Sequence, residues 1–223
     1  MEQTAVTSVR SYLHSEFPGV SVELSPEAAQ GKKSRTEFNF MATMFRLTGV
    51  ERVLYVSDVL LDDRTEQHIE ALLRQHDIAR ELWEVGSHPL LLTPRGPVLI
   101  LEWIGPLELT EGDIHLHTPT SGGVYLLAEP LEDERWLSLF VDRHHSLRSQ
   151  LQLFARKKEF GKIHCYFFTN IDSGILAPEI LRDRITKYIA ATCRIDDPTD
   201  PDLKPLRVNL PPGIADARLD PRD

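Results

Sequence analysis

The sequence predicts an α+β protein, and three observations lead there. Apolar residues recur at helical spacing near both ends of the chain, strand-length apolar or alternating runs fill the stretches between, and those runs succeed one another through short turns instead of alternating with helices. The expected architecture is an N-terminal helix-three strands-helix unit over residues 1–86, then a mainly antiparallel sheet with two C-terminal helices over residues 98–193, then a Pro/Asp-rich tail over 194–223.

The first helix rests on Val6, Val9, Leu13 and Phe17, with Pro18-Gly19 as its stop. Val20, Val22 and Leu24 alternate with polar residues as a half-buried strand does. Glu37 to Leu47 and Arg52 to Leu61 are rich in Phe, Met, Val and Leu, and Thr48-Gly49-Val50-Glu51 suits a hairpin loop. From Asp62-Asp63-Arg-Thr-Glu66, an acidic cap with a glutamate beyond it opens a helix with an apolar stripe of Ile69, Leu72, Leu73, Ala79, Leu82 and Trp83. His76 on that stripe reads as a packed residue. Gly86 to Pro97 holds Pro89, Pro94 and Pro97 and reads as a connection, with Leu90 to Leu92 as a docked linker or short strand.

In the second half, Val98 to Ile104, Asp113 to Thr118, Gly123 to Glu129 and Trp136 to Val141 read as strands of an antiparallel meander. Leu147, Leu151 and Phe154 mark a helix that Gly161 ends. Ile163 to Thr169 is apolar or aromatic on both faces, as a strand covered on both sides is. Pro178 suits the first turn of a last helix, whose buried stripe is Leu181, Ile185, Tyr188, Ile189 and Thr192. Six prolines and seven aspartates crowd the final 30 residues, so the tail is expected to be extended or mobile, with Leu206 to Leu210 the segment able to dock.

A formal charge of -9 argues against a surface covered in non-specific nucleic-acid contacts. Acid is concentrated between Ser57 and Glu84 and between Glu102 and Arg135, patches that read as solvated surface or as a face for a basic partner. Cys165 and Cys193 both fall on segments read as buried, which suits free thiols in a reducing, cytoplasmic compartment. The first twenty residues lack the continuous apolar core of a signal peptide, and no apolar run approaches the roughly 20 residues a spanning helix needs, so no membrane partner is expected. Gly31-Lys-Lys-Ser34 lacks the earlier glycine and the strand-to-helix setting of a phosphate loop.

Two stretches carry candidate sites. In Asp113-Ile-His-Leu-His-Thr118, a strand would set His115 and His117 on one face about 7 Å apart, with Asp113 in line. Two imidazoles and a carboxylate can hold zinc or another divalent metal. The motif resembles the opening of the polymerase-and-histidinol-phosphatase metallohydrolases, whose active site begins with an aspartate, two alternating histidines and a threonine on a first barrel strand. That resemblance runs only to Gly122 and implies a metal-dependent phosphoesterase; no second cluster in that family's form follows. His-Leu-His is also similar to the histidine-hydrophobic-histidine motif of rolling-circle nucleases, which implies a tyrosine nucleophile on a helix, and Tyr188 falls on one. Alanine and threonine follow it where that family's lysine would stand. Asp142-Arg-His-His145 could approach the first pair if the strands are neighbours, making His144 a further candidate ligand. The simpler reading has Ile114 and Leu116 facing the core and the histidines facing water.

The other candidate is a basic face of Arg143, Arg148, Arg156, Lys157, Lys158 and Lys162. Against Asp142 and Glu159 these six give a local charge of 6 - 2 = +4. Such a face could steer an acidic protein surface, a second copy of the chain, or nucleic acid. The cysteines have no base beside them and no nucleophile elbow occurs. The expectation is therefore a non-catalytic cytoplasmic binding, adaptor or regulatory protein that needs no cofactor and acts through charged surfaces on a protein partner or by self-association. The alternatives are a metal-dependent phosphoesterase or nuclease, and a nucleic-acid-binding regulator.

Overall fold

The structure, a computed structural model, describes residues 4–25, 42–63, 65–131, 135–157, 165–171, 175 and 177–214. Gly31-Lys-Lys-Ser34 and the start of the strand expected from Glu37 lie outside the described residues. The chain is α+β, with one five-stranded and one four-stranded sheet. It divides into two compact units, Met1–Ile100 with Ser173–Leu176, and Leu101–Asp172 with Ala177–Asp223.

The first unit opens with α1 (Thr4–Glu16), and Phe17 donates its N–H to Leu13 before the chain turns. Strands β1 (Ser21–Ser25), β2 (Ala42–Thr48) and β3 (Arg52–Ser57) pair antiparallel, with Leu24 opposite Phe45 and Phe45 opposite Leu54. Alternation then puts Phe45, Leu47, Leu54 and Val56 on one face, and all four are fully buried. The single helix expected after β3 is three: α2 (Asp58–Asp63), α3 (Glu66–Gln75) and α4 (Ile78–Glu84). Asp77 takes the left-handed conformation, at φ 48°, between the last two. Aspartate tolerates that conformation better than most residues, so the apolar stripe continues while the backbone bends.

The proline-rich stretch after α4 is not a connection between units. Leu90–Thr93 forms β4, parallel to β3 with Leu54 opposite Leu90, and Gly96–Leu99 forms β5 at the sheet edge. Pro97 is tolerated because an edge strand has one row of N–H groups with no ladder to serve. Gly96, at φ 100°, turns the hairpin, and a Cβ there would meet the His76 ring 2.9 Å away. His76 is thus a half-buried residue against a turn, as expected of that stripe.

His88 introduces a pH dependence. Burial pushes its imidazole below the ordinary value of 6.5. Below pH 6.5 the unfolded chain binds a proton that the folded chain resists, so this contribution to stability is complete above 6.5 and is lost as pH falls through that value. Urea unfolding at pH 7.5 and pH 5.5 should show lower stability at the acid end, with a shallower fall in His88→Gln.

In the second unit β6 (Ile104–Glu108), β7 (Gly123–Pro130), β8 (Trp136–His144) and β9 (Cys165–Asn170) lie in the order β6-β9-β7-β8, all antiparallel. This is not the expected meander, because β9 inserts between β6 and β7. Tyr125, Leu127, Tyr166 and Phe168 face Ile114 of α5 (Glu111–His117) and Leu147 and Leu151 of α6 (Leu147–Lys157). The alternate residues Leu126 and Phe167, also fully buried, point to the other face, where α7 (Pro178–Cys193) lies against β7 and β8. Both faces of β9 are thus covered, which its apolar run required.

Leu206 to Leu210, the part of the segment after α7 able to dock, lies against the second unit. Leu206 donates its N–H to Arg184 of α7, Trp136 donates its own to Gly213, and Leu206, Val208 and Asn209 are buried. Its few apolar side chains join a core the rest of the unit has already built, so they need not form one themselves. Residues beyond Ile214 lie outside the described set.

Candidate binding face

The histidine motif lies on a helix, and this overturns the geometry expected of it. Thr110 caps α5, its hydroxyl accepting from the Asp113 N–H at 3.2 Å. Ile114 is buried, whereas His115, Leu116 and His117 are exposed. At 3.6 residues per turn, positions two apart diverge by about 200°, so His115 and His117 do not share a face. No barrel strand begins here, and α5 lies on the opposite side of the sheet from Tyr188 of α7. Neither the metallohydrolase nor the nuclease arrangement is formed.

His144 does not complete a ligand set. Its Nδ1 accepts the Ser146 N–H at 3.0 Å beside the start of α6, and its ring stacks on His145 with centroids 4.2 Å apart. Among the described residues, no group of three His, Cys, Asp or Glu side chains is placed to hold a metal. Strand β8 pairs with β7, not with the segment of His115 and His117.

The basic residues also part company. Arg143 sits on β8 and brackets the unit from inside: its Nε donates to Asp183 of α7, and its Nη1 to Asp142 at 3.1 Å. Arg148 donates through Nε to the Thr118 carbonyl at 2.8 Å, and the Thr118 hydroxyl is hydrogen-bonded to Tyr166 in the core. Both are occupied with holding the fold. Arg156 is different: it pairs with Glu111 of α5 at 3.3 Å, with both side chains more than half exposed. Such a pair is worth at most about 1 kcal/mol. The Lys157 side chain, Lys158 and Lys162 lie outside the described residues.

What remains of the two candidates is one outer face shared by α5 and α6. Leu153, 45% exposed, stands three residues before Arg156 on α6; His115 stands four after Glu111 on α5. Residues three or four apart share a helix face, so the Arg156–Glu111 pair ties two short rows together. Leu116, 73% exposed, adds apolar surface on α5. Cys165 of β9 is held in its thiol form because burial, and then Glu108, push it up, which makes it a poor nucleophile at neutral pH. Tyr125 is likewise held protonated by burial and by the Asp142 carboxylate.

One arrangement in the first unit is not legible in the sequence. The guanidinium of Arg52 lies over the Trp83 ring, 5.5 Å from its centroid. Trp83 counts in the sequence as part of the α4 apolar stripe, yet it is 43% exposed and tilts against Phe17 at 5.6 Å. A sequence shows neither where β3 begins beside α4 nor which way the guanidinium folds.

No family model, curated protein or solved structure matches the chain.

Proposed function

We propose that this chain is a non-catalytic binding protein that engages a protein partner, or a second copy of itself, through charged surface groups. The observation that carries this reading is the outer face of α5 and α6, where the lightly paired Arg156 stands with Glu111 beside the exposed Leu153 and His115. An arginine beside an exposed leucine fits the character of protein interfaces, in which arginine is enriched and apolar side chains are desolvated at the centre. Support also comes from what the other polar groups are doing. Arg143 and Arg148 hold internal bonds and Cys165 keeps its proton, so the groups a reaction would recruit are committed elsewhere.

The test compares proteins retained by the wild-type chain with those retained by a Leu153→Glu, Arg156→Glu variant, alongside the mass of each in solution. Both side chains are exposed, so the variant should keep its unfolding midpoint. The expected result is loss of a retained partner, or a fall from dimer to monomer. An unchanged set of retained proteins together with an unchanged mass would remove this face from consideration.

A further inference from the structure

We infer that Arg52 and Trp83 form a second recognition site, one that takes a carboxylate of an acidic peptide segment against the arginine with an adjoining apolar side chain on the indole. The site lies in the first unit and is separate from the α5–α6 face.

Its geometry begins with the turn before β3. Gly49-Val50-Glu51 reverses the chain, so Arg52 starts β3 at the rim of the buried face that holds Leu54 and Val56. From there the side chain reaches across to α4. One Nη1 hydrogen goes to the Val50 carbonyl at 2.8 Å, and the plane lies over Trp83. Its Nε is sealed from solvent with no acceptor. Among the described residues, no carboxylate pairs with this guanidinium. On α4, Glu84 is taken by Arg80 at 2.7 Å.

Among the described residues this half-buried cation has no counter-ion, in a chain of net charge -9. Desolvation pushes Arg52 below its ordinary value, which means the folded environment disfavours the charge it carries. An arriving carboxylate would offset that cost. A guanidinium holds its donors in one plane, the geometry that suits a carboxylate and that lysine lacks. The indole holds the guanidinium in place, so little side-chain freedom is lost on binding. The exposed part of Trp83 asks for an apolar neighbour, and a peptide alternating acid and leucine supplies both.

Titration of the full ¹⁵N-labelled chain with the capped peptide acetyl-Glu-Leu-Glu-amide tests this, read at the Arg52 Nε–H and Trp83 indole N–H signals. Both should shift saturably and together. Acetyl-Gln-Leu-Gln-amide should bind about tenfold or more weakly, because a hydrogen-bonded charge is exchanged for a neutral amide. Arg52→Gln should produce a loss of the same order, and Arg52→Lys should recover only part of it. Shifts caused equally by the two peptides, by neither, or by inorganic phosphate alone overturn the proposal. The peptide comparison uses only the wild-type chain, so it decides the matter even if an Arg52 variant fails to fold.

Discussion

Gly123→Ala is expected to destabilise the second unit by about 3 kcal/mol, the upper end of what an overpacked core costs, or to prevent its folding. Gly123 lies in the central strand β7, opposite Asn170 of β9 on one side and His144 of β8 on the other. A Cβ at this position would stand 2.1 Å from the Thr169 carbonyl oxygen and 2.8 Å from the Leu147 side chain. The leucine can turn aside; the carbonyl belongs to a strand paired on both edges, so β7 and β9 would have to separate. Urea unfolding followed by tryptophan fluorescence measures this directly through Trp103 and Trp136 of the same unit. A midpoint within error of wild type would mean that the two strands are not as close as described. Gly49→Ala is a useful contrast. It also replaces a glycine but has open space around its Cβ, so its cost arises only from its φ of 96°.

The sequence makes the second unit's core legible because long apolar patterns leave few choices. Ile163 to Thr169 can satisfy both faces only under cover, and the Leu181, Ile185, Ile189 stripe of α7 is deep enough to provide it. The short patterns mislead. Asp113-Ile-His-Leu-His117 alternates over five residues, too few for a period of two to be told from one of 3.6. The deciding signal begins three residues upstream, in Thr110-Glu-Gly-Asp113, a cap and acidic first turn obscured by a glycine that helices disfavour. With the strand went the shared face on which the metal reading rested. Two arginines leave the basic face for another reason. Charge can be counted along a chain, but whether an arginine is free depends on neighbours distant in sequence, as Arg143 with Asp183 and Arg148 with Thr118 demonstrate. The same distance conceals Arg52 with Trp83.

Asn209→Ala should cost about 3 kcal/mol, a large effect for a residue in a proline- and aspartate-rich segment. Asn209 is fully buried, and its side-chain amide completes the backbone of Leu101 as a neighbouring strand would: Oδ1 accepts the Leu101 N–H at 2.6 Å and Nδ2 donates to the Leu101 carbonyl at 2.9 Å. Its own carbonyl accepts from the Trp103 indole at 2.8 Å. Removing the amide strands a buried donor and a buried acceptor, and each costs about 1–3 kcal/mol when left unpaired. Asn209→Asp separates this account from simple loss of volume. The aspartate is nearly isosteric and can still accept from Leu101 N–H, but it sets a buried carboxylate against the Leu101 carbonyl it should serve. It should therefore destabilise at least as much as alanine at pH 7. As pH falls toward the carboxyl range it should recover part of that loss, because the protonated acid can donate to the carbonyl. In linkage terms the folded state raises this aspartate above its unfolded value, so the penalty is present above the folded value and fades below it. Urea midpoints of the two variants at pH 7 and pH 4.5, each referred to wild type at the same pH, read the effect. Equal penalties at both pH values for Asn209→Asp would show that the amide pair with Leu101 is not what fastens this segment to the unit.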